Sequence, residues 1–317
     1  MPRKLAALAV PVGLLVSFVC FRGMGPFDVA LVVFLAGVDN LVVIAKKVQS
    51  LGWWMRVYLT AGIVIQLIEL VTIPPLIVAL CAGRNPWGVY QLIGQPERYS
   101  LLLEGVHPQI VALGVGFIAL AVMWFFADKE NRVWLGIEKH IERFARWYKI
   151  GTIGGVLALL AIGSFWFSWT FLLLGVLGMA AFGAIKFSER RSEDLGQKPG
   201  AGGGKGFVRV ELFEAALSID MWVGTYSASS HLVDIVLGVL AGVLVMRILT
   251  VSLVQKLDEL PYLASAAHWS LGLLAASWVI ELWLPAVGSV AEVVCLMPLV
   301  VGWGHSVLSR RRQPAVI

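Results

Sequence analysis

The chain alternates long apolar runs with short polar segments, and most of the runs are long enough for one membrane-spanning helix. A helix that crosses the hydrocarbon core needs about 17 to 25 mostly apolar residues. Two of the runs are short and meet at Ser164 to Ser168, and we predict that they form separate helices because their combined length is too great for a single span. The ten predicted helices are residues 5–21, 27–45, 58–81, 109–127, 151–165, 166–185, 210–227, 232–251, 263–284 and 287–307.

Composition supports a lipid environment. Hydrophobic residues make up 59% of the 317 residues and charged residues only 14%, whereas about one quarter of a soluble domain is charged. The net charge of +5 comes from short segments between apolar runs, which indicates membrane orientation and argues against a nucleic-acid partner. The three cysteines have no paired spacing that would predict disulfides or zinc. No motif of a known catalytic site occurs, so we do not expect an enzyme.

The positions of lysine and arginine predict the orientation, because cytoplasmic loops are enriched in both residues. With ten helices, nearly all of these side chains fall on one side. We therefore expect a multi-pass protein of the inner (cytoplasmic) membrane with both termini in the cytoplasm. Residues 1–26 resemble both an uncleaved anchor helix and a secretory signal, and the anchor is the preferred interpretation because no clean cleavage site follows.

The predicted organisation has four parts. Residues 1–26 form the anchor, 27–127 a first transmembrane repeat, 128–206 a connecting region and 207–317 a second repeat with a basic tail. Within them, residues 186–206 are predicted to be a flexible Gly-rich linker, residues 131–149 a basic amphipathic helix on the membrane surface, and ERYSLLLEGVHP in the segment 82–108 a short interfacial helix.

Two carboxylates lie deep in apolar runs that resemble copies of one motif. Asp39 occurs in LVVFLAGVDNLVVIA and Asp220 in FEAALSIDMWVGTY. A charge at this depth costs about 2.5 to 3.5 kcal/mol on insertion scales, so it needs a partner, water or an ion. The two predicted helices run in opposite directions. An inverted-topology repeat of this kind often places a substrate site near the membrane midplane.

Several segments carry a family resemblance. FEAALSIDMWVG, AGVLVMRILTVSLVQKLDELPYL and AAHWSLGLLAASWVIE resemble the second half of the TerC family of integral membrane proteins, and VDNLVVIAKKV with LLLEGVHPQIVALGVGF resembles its first half. The similarity is to a longer TerC-like branch of unknown function, within the LysE-type transporter superfamily. It implies export of Mn²⁺ or a similar divalent cation, and a role in metal or tellurite stress.

The resemblance also implies particular site residues. The acidic motif of the family falls on Glu214, Ser218 and Asp220 in the second repeat, and on Asp39 and Asn40 in the first. A basic residue of the next helix is matched in the second repeat alone, by Arg247. The first repeat departs from the pattern, because Val33 replaces a glutamate and the region corresponding to Arg247 contains Leu67, Glu69 and Leu70.

The chemistry of these side chains favours a hard cation, because they offer oxygen ligands without imidazole or thiolate. If Glu214 and Asp220 bind one ion, the helix must be broken near Leu217 to Ile219, since residues six apart do not share a helix face. Simpler alternatives stay open: a carboxylate can pair with Arg247, and Asn40 can bond to a neighbouring helix.

Two further polar residues have open roles. Glu69 either lines a pathway beside Pro74 and Pro75 or caps a helix segment, and His268 is expected to be a hydrogen-bonded packing residue more often than a ligand.

The sequence thus predicts an all-α, polytopic membrane protein of about ten helices in an inverted-topology repeat. We expect it to move a divalent metal cation, with Mn²⁺ as the first candidate, through a midplane carboxylate site. The cation is the substrate, and no resident cofactor is expected. Its partners are the lipid bilayer and the ion, and the sequence leaves a homo-oligomer or a stress-resistance complex open. The alternative is a membrane scaffold or accessory protein in metal or tellurite resistance that does not transport.

Overall fold

The structure is a computed structural model that describes residues 25–128, 134–194, 203–218, 221, 232–284 and 288–312. All regular structure in these ranges is helical, and no strand occurs in them. Short 3-10 helices lie at Gln49–Trp54 and Leu257–Glu259. The α-helices are α1 (Gly25–Val48), α2 (Met55–Leu59), α3 (Ala61–Cys81), α4 (Pro86–Leu92), α5 (Pro96–Phe126), α6 (Gly136–Arg143), α7 (Ala145–Trp166), α8 (Trp169–Asp194), α9 (Gly204–Leu217), α10 (Leu232–Val254), α11 (Leu263–Glu281) and α12 (Gly288–Arg312).

Six of the described helices are long and apolar enough to cross a membrane, namely α3, α5, α7, α8, α10 and α11. Shorter apolar stretches occur at Gly25–Phe34 in α1 and Val294–Ser309 in α12. The first predicted segment, residues 5–21, and its anchor or signal role lie outside the described residues. The structure therefore has the all-helical, multi-pass character that the sequence predicts, while the count of ten stays a prediction.

The break predicted between the fifth and sixth apolar runs is present. Helix α7 ends at Trp166 and α8 begins at Trp169. The side chain of Ser168 lies in this turn and accepts a hydrogen bond from the backbone N–H of Phe171 at 3.3 Å. Both helices have the length and composition of a membrane span.

Three predicted boundaries were wrong. ERYSLLLEGVHP is not a separate interfacial helix, since α5 continues through it from Pro96 to Phe126 with Pro108 inside. Buried Leu103, Val106 and Ile110 hold this helix against its neighbours, and that packing outweighs the backbone bond that proline removes.

The other two corrections concern the connecting region. Residues 131–149 are not one amphipathic helix, because Phe144 has non-helical backbone angles and separates α6 from α7. The predicted flexible linker begins too early, because α8 extends to Asp194. Its charged end is held by Glu189, which pairs with Lys47 at 3.0 Å and with Lys186 at 2.7 Å.

Glycines allow the two closest helix pairs to form. A Cβ atom on Gly242 of α10 would lie 2.7 Å from the Cβ of Val33 in α1, and one on Gly178 of α8 would collide with the backbone carbonyl of Leu113 in α5. Small residues at such positions let backbones approach closely, which strengthens van der Waals packing in lipid. Helix α5 lies at the centre of the bundle and α7 at its edge, since 78% of the most apolar stretch of α5 is buried and only 11% of that of α7.

Helix α6 is attached to the bundle through a buried carboxylate. Glu138 accepts hydrogen bonds from the hydroxyl of Ser265 at 2.5 Å and from the indole of Trp269 at 2.7 Å, both on α11. It also accepts a bond from the backbone N–H of Trp134 at 2.6 Å. Ile137 on the same helix is 56% exposed. An exposed apolar side chain of this kind fits the predicted contact with a membrane surface.

Candidate functional site

The described interior contains a fully buried arginine. Arg247 of α10 has no exposed surface and is the largest fully buried side chain described. Its guanidinium forms a bidentate pair with Glu211 of α9, with Nη1 to Oε1 at 2.9 Å and Nη2 to Oε2 at 2.8 Å. Both groups are removed from water, so each requires the other to offset its desolvation. The pair fastens α9 to α10.

Residues of α2 and α3 accept further hydrogen bonds from Arg247. Its Nε donates to Oε1 of Gln66 at 3.0 Å, and Nη1 donates to the backbone carbonyl of Tyr58 at 2.6 Å. The guanidinium carbon also lies 4.1 Å from the centre of the Tyr58 ring. A guanidinium has five N–H groups in a planar fork, and this arrangement uses the fork to join four helices.

Glu214, a predicted site residue, belongs to the same cluster. Its Oε2 lies 3.3 Å from Nη2 of Arg247, and its Oε1 accepts a hydrogen bond from the Tyr58 hydroxyl at 3.4 Å. The Glu214 side chain is 4% exposed. Oε2 has no hydrogen-bond donor among the described residues, so one face of this carboxylate is held only by charge.

The cluster contains more carboxylates than cations. Glu211 and Glu214 face the single charge of Arg247, and the half-buried Glu69 of α3 lies close enough to interact electrostatically with all three. A buried excess of negative charge is costly unless a cation or a proton compensates it. Among the described residues, the cluster is therefore the part of the interior best suited to hold a positive charge.

Gly62 is required for this arrangement. A Cβ atom at Gly62 of α3 would collide with Nη1 of Arg247 and lie 2.6 Å from Oε1 of Glu211. Only a residue without a side chain lets the α3 backbone approach the ion pair this closely. The structure thus gives Gly62 a packing role.

Two close approaches connect α1 with the end of α9 and with Met221, which follows it. The Nδ2 of Asn40, which is 1% exposed, donates to the backbone carbonyl of Leu217 at 3.0 Å. A Cβ atom on Gly37 would lie 3.5 Å from the sulfur of Met221. Asn40 thus makes the interhelical bond that the sequence allowed as its simpler role.

The backbone of Asp39 lies in α1, but its side chain and the whole of Asp220 lie outside the described residues. Helix α9 ends at Leu217, followed by Ser218, whose hydroxyl donates to the carbonyl of Glu214 at 2.7 Å. The helix thus ends near the place where binding of one ion by both Glu214 and Asp220 would require a break.

His268 is separated from the ion-pair cluster and has a packing environment. Its ring stacks on Phe125, with centres 3.5 Å apart and an angle of 9° between the planes. Nδ1 lies 2.8 Å from the backbone carbonyl of Ala264, one turn earlier in α11. This arrangement matches the packing role that the sequence favoured.

Three members of the cluster were missed from the sequence: Glu211, Tyr58 and Gln66. The signal for Glu211 was available, because Glu211 and Glu214 are three residues apart and share one helix face. A membrane arginine also needs a partner, and the predicted site offered only one carboxylate on α9. No feature of the sequence around Tyr58 indicated its role, because its main contribution to the cluster is a hydrogen bond to its backbone carbonyl. In the described part of the chain, no group of three or more His, Cys, Asp or Glu side chains is arranged to hold a metal ion.

These features define an all-helical protein with apolar helices suited to a lipid bilayer and a buried arginine–glutamate cluster joining four of them. Residues 38–313 match a family model whose description is "Protein of unknown function (DUF475)", and the chain belongs to this family. No curated protein and no solved structure matches the chain.

Proposed function

We propose that this protein is a TerC-like membrane transporter that moves a divalent cation, with Mn²⁺ as the first candidate, through a site that includes Asp39 and Asp220. The hydrogen bond from Asn40 to Leu217 carries the proposal. Asn40 follows Asp39 directly, and Leu217 precedes Asp220 by three residues. The contact between Gly37 and Met221 lies on the other side of the two aspartates. In the sequence these contacts lie on either side of Asp39 and of Asp220, which supports the proposal that the two residues share a site.

The charge of the adjacent cluster supports a cation rather than an anion as substrate. Glu214 is four residues from Ser218 and six from Asp220, so the excess negative charge beside Arg247 extends toward the proposed site. Oxygen ligands favour Mn²⁺, Mg²⁺ or Ca²⁺ over zinc or copper. In the proposal Arg247 holds the helices together, and the aspartates bind the ion.

An inverted-topology repeat is part of the proposal, and two glycine contacts support it. Gly62 lies against Glu211, which is nine residues before Asp220, and Gly242 lies against Ala30 and Val33, which are nine and six residues before Asp39. The contacting positions therefore correspond in the two halves. The second half carries Glu211, Glu214 and Arg247 where the first half has Ala30, Val33 and Leu67, so the two half-sites differ in charge.

Transport of Mn²⁺ into liposomes tests the proposal directly. Purified wild-type protein is expected to pass Mn²⁺ to a dye inside the vesicles, and Asp39→Asn and Asp220→Asn are each expected to reduce the rate at least about tenfold, by analogy with the loss of metal-site partners. Asp234→Asn on α10 is the matched control and should transport like wild type.

The same experiment separates the proposal from its alternative. If folded wild-type protein moves no divalent cation while cells lacking it become sensitive to Mn²⁺ or tellurite, the protein acts as a scaffold. If both aspartate variants transport at the wild-type rate, the proposal that Asp39 and Asp220 bind the ion is contradicted.

A further inference from the structure

A second polar site lies at another place in the bundle. A pocket of about 270 Å³ lies where the C-terminal ends of α1 and α5 meet the beginning of α11. Residues of α8 and α9 complete its wall. Its lining includes Lys46, Lys47, Lys186, Trp124, Phe213 and His268. Of the proposed ion-binding side chains that the structure describes, none lines this pocket. Its volume is close to the lower end of ligand pockets, about 300 Å³.

The pocket is basic. Three lysines and one aspartate, Asp128, line it. Glu189 binds Lys47 and Lys186 from outside the lining, at 3.0 and 2.7 Å. Each ammonium group has three donors, so a single contact with Glu189 leaves further donors on both lysines.

Two more cations surround Trp124, which forms part of the wall. The Nζ of Lys149 lies 4.2 Å from the Trp124 ring centre and the guanidinium carbon of Arg190 lies 5.0 Å from it. Among the described residues, these two and the three lysines are five positive side chains against the two carboxylates Asp128 and Glu189, an excess of three positive charges. A divalent cation is disfavoured in such a field, so this pocket is not the binding site of the transported ion.

Aromatic rings fix the positions of the ammonium groups. Lys46 lies over the ring of Phe125 at 5.1 Å, and Lys47 lies over that of Phe213 at 4.2 Å. Cation–π contacts of this kind restrict where a lysine points. The pocket therefore combines several oriented ammonium donors with apolar walls, which suits an anion attached to an apolar or glycerol-like group.

We propose that this pocket binds a phosphate group, and that the headgroup of an anionic phospholipid supplies it. Lysine is a common phosphate ligand, and basic pockets between transmembrane helices on the cytoplasmic side bind anionic headgroups. The charge distribution along the chain predicts that Lys46, Lys47 and Lys186 lie on that side. The phosphate links α1 to α8 in addition to the bridge made by Glu189.

Native mass spectrometry of the full-length protein tests the proposal. The protein is taken from nanodiscs of phosphatidylcholine with phosphatidylglycerol, and retained lipid is counted. Each lysine near a membrane surface changes affinity about fivefold, so Lys46→Gln with Lys186→Gln should lower phosphatidylglycerol retention about 25-fold and leave phosphatidylcholine unchanged. Lys139→Gln, an exposed lysine on α6, is the control and should retain lipid like wild type.

A variant that keeps every charge separates pocket binding from general surface attraction. Ser50 is exposed at the rim of the pocket, and Ser50→Trp should block entry and reduce retention without altering the fold. Equal retention of phosphatidylglycerol by wild type, Ser50→Trp and the double lysine variant would overturn the proposal.

A third arm identifies the source of the phosphate. Inorganic phosphate is added to lipid-depleted protein in detergent, at constant ionic strength, and the melting temperature is compared with that in chloride. A rise in wild type that is absent in the double lysine variant, without lipid preference, assigns the pocket to a free phosphate instead of a lipid. If the protein shows no preference for anionic lipid and no rise in melting temperature with phosphate, the proposal is contradicted.

Discussion

The guanidinium of Arg247 shows how one side chain can hold several helices in an apolar interior. It contacts Glu211, Glu214, Gln66 and the backbone of Tyr58. An uncompensated buried charge is far more costly than the net value of the pair that compensates it. The cluster therefore tolerates little change in any one of its charged members.

Replacing Arg247 should destabilise the protein strongly. Arg247→Met removes the positive charge and leaves two buried carboxylates facing each other, so we expect a loss of about 3 to 5 kcal/mol in the free energy of unfolding. Denaturation in detergent measures the loss. Arg143→Met, at an exposed position on α6, controls for loss of an arginine as such. Similar unfolding curves for both variants would show that the ion pair contributes little.

Adding a methyl group at Gly62 should reduce the stability of the protein, because the new Cβ would collide with the ion pair. Gly62→Ala places a Cβ against Arg247 and Glu211, and overpacking of this kind costs about 1 to 3 kcal/mol. Gly105→Ala is the matched control, since Gly105 lies inside α5 with no atom close to a new Cβ; it should be neutral or slightly stabilising. An unchanged melting temperature for Gly62→Ala would mean that α3 can move away at no cost.

The sequence predicted part of the candidate site and missed the rest for a physical reason. The family resemblance pointed to Glu214 and Arg247, and their chemistry agrees with it, because a membrane charge is rare and needs a partner. The partner itself depends on which helix faces are in contact, and sequence spacing within one helix does not determine that. Glu211 and Gln66 meet Arg247 only because α9 and α3 pack on either side of it.

At the scale of whole helices, apolar length was the reliable signal. It predicted α3, α7, α8, α10 and α11 near their observed positions, because an apolar run of this length must satisfy its own backbone bonds in lipid. Boundaries in polar segments were less predictable. The polar segment 82–108 suggested a short interfacial helix at ERYSLLLEGVHP, yet packing of Leu103 and Val106 makes that segment part of the longer helix α5.

Among the described side chains of α6 only that of Glu138 is buried, and it attaches the helix to α11. Glu138→Ala removes the acceptor for Ser265, Trp269 and the Trp134 backbone, so we expect faster amide hydrogen exchange throughout Gly136–Arg143. The helix is short and has little stability of its own.

Lys139→Ala is the control for that measurement, because Lys139 is the exposed neighbour of Glu138. Its exchange rates should match those of wild type. Slow exchange in both variants would indicate that the apolar face of α6, and not Glu138, holds the helix in place.

At the scale of the whole molecule, charge is distributed between two separate regions. The cluster around Arg247 has an excess of carboxylates, and the pocket around Lys46, Lys47 and Lys186 has an excess of cations. The first favours a bound cation and the second an anion. The two sites therefore have different proposed ligands, and a change in one can be tested without altering the side chains of the other.

Equilibrium binding of Mn²⁺ to purified protein is the most direct test of a shared site at Asp39 and Asp220. Titration calorimetry should show one ion bound per chain, with affinity reduced at least about tenfold in Asp39→Asn and in Asp220→Asn alike, and retained in Asp234→Asn. A single shared site requires both aspartate variants to weaken the same binding event. Wild-type affinity in either aspartate variant, or no binding by the folded wild-type protein, would contradict the account.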